Sequence, residues 1–129
     1  MTSAERLDHT LTITEVAQRI GLSIDTLRYY EKAGLIQPVA RSTGRHRRYR
    51  AEDLDWIEFL LRLRATGMSI ADMQRFAALR AHGPDTVEAR LALLREHRRQ
   101  LGIQINQLET NGQALDMKIT HYEKLLEES

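Results

Sequence analysis

The most constraining feature of this sequence is an apolar stripe that runs from Val87 to Leu126 with alternating spacings of four and three residues. Arg98 and Gly112 are its two positions that are neither apolar nor aromatic. The stripe consists of Val87, Leu91, Leu94, Arg98, Leu101, Ile105, Leu108, Gly112, Leu115, Ile119, Tyr122 and Leu126. A pattern kept over so many heptads predicts a coiled coil rather than an ordinary amphipathic helix. One helix has nothing to bury this stripe against, so we expect a second chain as the partner.

The ends of this long helix are less clear than its periodicity. Asp85 is the expected N-cap, with Glu88 completing a capping box. The pair Asn111-Gly112 is turn-like, and the sequence leaves open whether the main helix ends or bends there. From Asp85 to Glu109 a helix would span roughly 38 Å, close to one turn of B-DNA. The residues expected at the dimer interface are Leu91, Leu94, Leu101, Ile105 and Leu108.

Residues 12–36 read TITEVAQRIGLSIDTLRYYEKAGLI and show two short amphipathic helices around a tight turn. Thr14 is expected to cap the first helix, and Gly21 is expected to end it. Ser23 is expected to cap the second helix, which should end at Gly34. Two short helices joined in this way indicate a helix-turn-helix.

Residues 41–50 (RSTGRHRRYR) carry five arginines and no acidic side chain, although the whole chain has a net charge of only +1. We expect this segment to form a small hairpin, or wing, between Val39-Ala40 and the region of Tyr49. So local a basic patch suits a phosphate backbone. A solvated basic loop is the alternative interpretation of the same residues.

Two further helices are predicted, one from Ala51 to Thr66 and one that Ser69 caps and that runs to about Arg80. The predicted fold is therefore mainly α, with an N-terminal winged helix-turn-helix domain followed by a long C-terminal dimerisation helix. The predicted parts are a flexible tail over residues 1–11, the winged domain over 12–83 and the coiled-coil region over 84–129.

Composition argues against several classes of function. The sequence has no cysteine, which rules out disulfides, thiolate metal sites and cysteine nucleophiles. Its five histidines are isolated in sequence, so we expect no metal site, no cofactor and no catalytic residues. A signal peptide and a membrane-spanning run are also missing, and a cytoplasmic protein without a membrane partner is expected.

Residues 12–36 resemble the helix-turn-helix of the MerR family of bacterial transcription regulators. The likeness lies in Glu-Val-Ala, the Gly-Leu-Ser turn, Thr-Leu-Arg-Tyr-Tyr-Glu and Gly-Leu-Ile. It continues through RHRRY in the wing, Glu-Asp-Leu at 52–54 and Gly-Met-Ser-Ile at 67–70. The resemblance implies a homodimer, joined by an antiparallel coiled coil, that binds a pseudo-palindromic site in double-stranded promoter DNA. It also implies that the dimer distorts the spacer DNA so that RNA polymerase can engage.

The C-terminal segment ALDMKITHYEKLL is similar to that of the small MerR members linked to aldehyde or electrophile stress. Those members often carry a reactive cysteine, which this chain lacks, so the effector stays unidentified. A small-molecule effector would be expected where the long helix meets the partner's DNA-binding domain, and interface core is the alternative interpretation. The residues in question are Met73, Phe76, Leu79, His82, Leu91 and Arg95.

The DNA contacts are predicted from position and chemistry. The N-terminal residues of a recognition helix enter the major groove, where Arg28 can bind guanine or reach a phosphate. Neighbouring Tyr29 and Tyr30 must face opposite ways, so we assign Tyr29 to DNA and Tyr30 to the core. The resemblance places Arg47 and Tyr49 on the family's Arg-x-Tyr wing pattern. The full predicted DNA-binding set is Thr14, Ser23, Thr26, Arg28, Tyr29, Arg45, His46, Arg47, Arg48 and Tyr49.

Two rival functions remain at this point. An architectural or excisionase-like winged-helix protein would bind DNA without switching transcription, but such proteins usually lack a long dimer helix. An enzyme with a ligand held in the helical bundle would need a polar constellation that the sequence does not show. We therefore expect a sequence-specific, dimeric transcription regulator.

Overall fold

A computed structural model describes residues 10–37, 40–41 and 47–129 of the chain. The elements are β1 (Thr10–Thr12), α1 (Ile13–Ile20), α2 (Ile24–Lys32), β2 (Ala40–Arg41), β3 (Arg47–Arg50), α3 (Ala51–Ala65), α4 (Ile70–His82), a short 3₁₀ helix (Pro84–Thr86) and α5 (Val87–Glu128). The chain divides between Val87 and Glu88 into two compact units. The predicted fold class is confirmed in its mainly helical content, its N-terminal helix-turn-helix and its long C-terminal helix.

A three-stranded antiparallel sheet in the order β1-β3-β2 forms the wing side of the first unit. The hairpin prediction is confirmed, because Ala40 pairs with Arg48 and Arg41 with Arg47. The predicted tail over residues 1–11 is wrong at its end, since Leu11 lies in β1 opposite Tyr49. A strand of three residues is too short to show an alternating pattern in the sequence. It is recognised as a strand only by its pairing with β3.

The first helix begins two residues earlier than predicted. Thr12, not Thr14, is its N-cap, and the Thr12 hydroxyl accepts the Glu15 N–H at 3.1 Å. The Glu15 carboxylate accepts the Thr12 N–H at 3.2 Å, which completes a capping box. Hydrogen bonds from the Thr12 backbone and side chain hold the pKa of Glu15 below its usual value. The predicted caps Ser23 and Ser69 are confirmed.

The long helix starts differently from the prediction and does not stop in its middle. Asp85 lies inside the 3₁₀ helix and is not an N-cap. The Thr86 hydroxyl ties this turn to the end of α4 by donating to the carbonyls of Leu79 and Gly83. Helix α5 then continues through Asn111-Gly112 for 42 residues, about 63 Å. Gly in a helix costs only about 1 kcal/mol relative to Ala, which the long flanking segments can offset.

The core of the first unit is built where α1 to α4 meet. Its largest fully buried side chains are Tyr49, Leu27, Ile57, Leu60, Met73 and Val16. The Trp56 ring stacks on Phe76 with centroids 5.7 Å apart, and its indole N–H donates to the Leu35 carbonyl at 2.8 Å. Leu35 follows α2, so this bond anchors the chain at the exit of the second helix to α3.

We predict that Thr12→Ala lowers the free energy of unfolding by about 1 kcal/mol, because it removes the side chain that caps α1. Thr14→Ala is the matched control and should stay within about 0.5 kcal/mol of wild type, since Thr14 is exposed inside the helix. Urea denaturation followed by Trp56 emission measures both values. A larger loss for Thr14→Ala would contradict the observed cap.

Candidate nucleic-acid interface

The start of α2 is fixed by a pair of hydroxyl groups. Ser23 Oγ accepts the Thr26 N–H at 3.1 Å, and the two side-chain oxygens lie 2.8 Å apart in a second hydrogen bond. Both residues belong to the predicted DNA-binding set, and the structure brings them together at the helix N-terminus. Free backbone N–H groups and a helix dipole make such an end favourable for a phosphate.

The exposed face of α2 carries the predicted readers. Arg28 is exposed, and Tyr29 is 52% exposed, whereas Tyr30 is only 5% exposed. The predicted core position of Tyr30 is thereby confirmed. Arg28 and Tyr29 line a shallow groove of about 420 Å³ together with Asp25, Glu31 and Lys32.

The structure corrects the expected role of Tyr49. Its ring is 1% exposed, and its hydroxyl donates to Glu31 Oε2 at 2.8 Å. Tyr49 therefore links the wing strand β3 to the recognition helix α2 and cannot contact DNA directly from this position. Strand alternation explains the error, because in Arg47–Arg50 the tyrosine points to the face opposite that of its two neighbours. Sequence analysis gave Glu31 no role of its own, although it is the last residue of the Thr-Leu-Arg-Tyr-Tyr-Glu run that carries the family likeness.

Arg48 is corrected in the same way. Its Nε donates to Thr10 Oγ1 at 2.8 Å, and its Nη2 donates to the Thr10 carbonyl at 3.0 Å. The guanidinium is part-buried and holds β1 against β3 instead of projecting from the wing. A side chain engaged with the backbone in this way positions the wing and is not a free phosphate ligand.

The remaining predicted contacts are unevenly placed. Thr14 lies exposed in the first turn of α1. Arg47 has its backbone in β3, while the expectations for its side chain and for Arg45 and His46 fall outside the described residues. Among the residues that the structure describes, no group of three or more His, Asp or Glu side chains could hold a metal ion. No helix in the same part of the chain has the length and apolar character to cross a membrane.

The second unit is a helix with large apolar side chains in contact with solvent. Leu91, Ile105 and Leu108 are 42%, 41% and 69% exposed, while Leu94 and Leu101 are half-buried. On another side of the helix, Glu96 accepts hydrogen bonds from Arg99, with the closest contact at 2.7 Å, and from Gln100. Hydrogen bonds from Arg99 and, to a smaller extent, from Gln100 lower the Glu96 pKa to about 2.

A helix-turn-helix with exposed Arg28 and Tyr29, flanked by an antiparallel hairpin, defines a winged helix-turn-helix DNA-binding protein. Family models agree with this class. The model described as MerR HTH family regulatory protein matches residues 11–79, and the model described as MerR, DNA binding matches residues 54–118. The chain belongs to the MerR family and is a DNA-binding transcription regulator; members of this family are regulators and not enzymes.

Individual relatives are similar along most of the chain. An HTH-type transcriptional regulator of Haemophilus influenzae is 38% identical over 115 residues, which cover 89% of this chain and 85% of the relative. The HTH-type transcriptional regulator AdhR of Bacillus subtilis is 43% identical over 91 residues, covering 70% and 65% of the two chains.

Solved structures of similar proteins show the same fold. HiNmlR, a MerR family regulator lacking the sensor domain, was crystallised bound to promoter DNA and is 38% identical, with a TM-score of 0.80. The match covers 89% of this chain and 91% of HiNmlR. A putative MerR family regulator from Listeria monocytogenes is 40% identical, with a TM-score of 0.82, over 88% and 86% of the two chains.

We predict that Tyr49→Phe lowers the free energy of unfolding by about 1–2 kcal/mol, because Glu31 loses a hydrogen bond at a buried ring. The same substitution should also weaken DNA binding, and by the same factor for all DNA sequences, because Tyr49 positions the wing and contacts no base. Tyr29→Phe is the matched control: stability should stay within about 0.5 kcal/mol of wild type while DNA affinity falls. Denaturation and fluorescence anisotropy give the two quantities. Unchanged stability of Tyr49→Phe would show that its hydroxyl has no structural role.

Proposed function

We propose that the chain acts as a homodimer that binds a pseudo-palindromic promoter site and distorts the spacer DNA to control RNA polymerase. The observation that carries this proposal is the exposed apolar stripe of α5 in the same chain as a winged helix-turn-helix. Each chain has one DNA-binding helix-turn-helix and one apolar stripe with no partner among the described residues of the same chain. When two copies pair through their stripes, the dimer presents two helix-turn-helices, one for each half-site.

We infer the dimer from the apolar side chains of α5, which no other part of the chain that the structure describes buries. Large apolar side chains such as Leu108 and Leu115 are 69% and 64% exposed along the stripe. Each square ångström of such surface removed from water contributes about 25 cal/mol. We therefore place Leu91, Leu94, Leu101, Ile105 and Leu108 in the dimer interface, with the helices antiparallel as in the family. Glu96 and Arg99 stay on the solvent side.

The structure narrows the proposed DNA contacts. Ser23 and Thr26 place the N-terminus of α2 against the DNA sugar-phosphate backbone. Arg28 contacts a base edge, and Tyr29 donates a hydrogen bond to a phosphate. Thr14 adds a backbone contact from α1. Arg45, His46 and Arg47 supply the wing contacts, which rest on the sequence alone. Arg48 and Tyr49 act behind the interface as positioning residues. The similar HiNmlR was crystallised bound to promoter DNA, which supports promoter DNA as the partner of this chain.

Spacer distortion is the proposed regulatory act, carried out in the cytoplasm where the promoter DNA lies. It would act on polymerase by changing the geometry between promoter elements rather than by a new base contact. The competing function is an architectural protein that bends DNA without changing transcription. Transcription from a purified promoter, with DNase footprinting on the same fragment, separates the two. A footprint without any change in transcript level would support the architectural alternative.

We predict that Leu101→Asp converts the dimer into a monomer, because the variant would place an unpaired carboxylate in an apolar interface. Gln107→Asp is the matched control on the same helix but off the stripe, and it should remain dimeric. Sedimentation equilibrium at micromolar concentration measures both. A wild-type chain that is monomeric under these conditions would refute the proposed dimer.

We predict different effects for arginines in the wing and in the recognition helix. Arg47→Ala should weaken binding to all sequences and reduce the slope of log K against log salt by about one. Arg28→Ala should instead relax the preference for one base pair, costing about 1–3 kcal/mol on the preferred site. Arg99→Ala is the control and should change neither quantity. An unaltered salt slope for Arg47→Ala would remove this arginine from the proposed interface.

A further inference from the structure

We propose that a cleft in the first unit binds a small molecule that carries a carboxylate or phosphate group. The cleft has a volume of about 390 Å³ and shares no residue with the DNA-binding set. That volume lies within the range of small-molecule sites in proteins. Its walls come from the segment that follows α2, from the junction of β3 and α3, and from the end of α4. The residues on which the inference rests are Gly34, Arg50, Asp53, Trp56, Arg80 and Ala81.

The charges in the cleft favour an anion. Arg50 and Arg80 line the cleft from different elements, and Asp53 is the single acidic residue among the lining residues. Asp53 Oδ2 already accepts the backbone N–H of Arg50 at 2.8 Å, so part of its charge is used at the N-terminus of α3. Guanidinium groups bind carboxylates and phosphates through parallel N–H donors, which a neutral ligand could not use as well.

One of these guanidinium groups is already positioned. The Arg80 guanidinium carbon lies 4.4 Å from the centroid of the Trp56 ring, within the range of a cation–π contact. Trp56 is in turn fixed by its hydrogen bond to the Leu35 carbonyl. An arginine held in place before binding loses less conformational freedom when the ligand arrives, and affinity benefits accordingly.

Small side chains keep the cleft open. Ala77 and Ala81 form part of one wall, and Gly34 forms part of another. A Cβ atom built on Gly34 would meet no heavy atom within 4 Å, so the space beside it is empty of protein. A larger residue at position 81 should therefore occupy part of the volume and exclude a ligand without removing either arginine.

A ligand in this cleft would touch three segments that bear on DNA binding. Arg50 ends the wing strand β3, Gly34 follows the recognition helix, and Arg80 lies in the last turns of α4. An anion that binds one arrangement of these segments better than another would shift their equilibrium. This consequence for transcription rests on the proposed function, whereas binding to the cleft does not depend on it.

Trp56 provides the test, because it is the single tryptophan of the sequence and lies in the cleft. Its emission is titrated at constant ionic strength with benzoate, with inorganic phosphate and with neutral benzamide. We expect a saturable change with at least one of the two anions, and the comparison shows which oxyanion is preferred. Arg80→Gln and Arg50→Gln should each weaken the apparent affinity by about tenfold, or about 1.4 kcal/mol, because each removes one charge-assisted contact.

Two further variants protect this interpretation. Arg75→Gln is the matched control, since Arg75 lies exposed on the same helix, paired with Asp72 and outside the cleft. It should bind the anion like wild type. Ala81→Leu should abolish the titration while both arginines remain, and its circular dichroism should match that of wild type because position 81 is exposed.

Several outcomes would overturn the proposed site. They are no saturable response in the wild type, an equal response to benzamide, or undiminished affinity in both arginine variants. If the anion competed directly with non-specific DNA, the cleft would be a binding site for a DNA backbone phosphate, and the small-molecule proposal would be wrong. DNA binding measured in parallel keeps the two proposals apart. Intact binding without any anion response refutes the ligand site and leaves the proposed function standing.

Discussion

Strand β3 is the constraint on which the first unit depends. It is the central strand of the sheet, and both β1 and β2 form their hydrogen-bonded ladders with it. Its buried Tyr49 donates to Glu31 on the recognition helix, and its last residue donates a backbone N–H to Asp53 at the start of α3. The angle between wing and recognition helix therefore depends on hydrogen bonds that one four-residue strand makes to α2 and α3. The positions from which the wing and the recognition helix can contact DNA depend on that angle.

Periodic and capping signals account for the part of the fold that sequence analysis predicted correctly. Ser23 and Ser69 precede apolar helical patterns and cap them, since the side-chain hydroxyl reaches the N–H three residues on. Local chemistry decides such features, so the sequence reveals them. The errors lie where tertiary pairing decides. Thr12 and Thr14 are equally good caps by residue type, and the pairing of β1 with β3 brings the chain into α1 at Thr12.

The candidate site was over-predicted in the wing for a related reason. A run of arginines indicates positive charge, but it does not say which side chains leave the sheet. Arg48 is held at Thr10, and Tyr49 is buried, although both lie in the most basic segment of the chain. Recognition-helix residues were easier to place, because helical geometry separates Tyr29 from Tyr30 by about 100°. The wing offered only a two-residue alternation whose direction the sequence could not fix.

Helix α5 changes what sets the distance between the two DNA readers in the proposed dimer. A helix that ended near Gly112 would fix that distance by its own length. Because α5 continues to Glu128, two antiparallel copies could pair over several lengths of overlap. Their register must then be chosen by side chains, and a polar residue within an apolar stripe is a known determinant of register. Arg98, the charged residue within the stripe, is therefore the position able to favour one overlap and thus one half-site spacing in the proposed dimer.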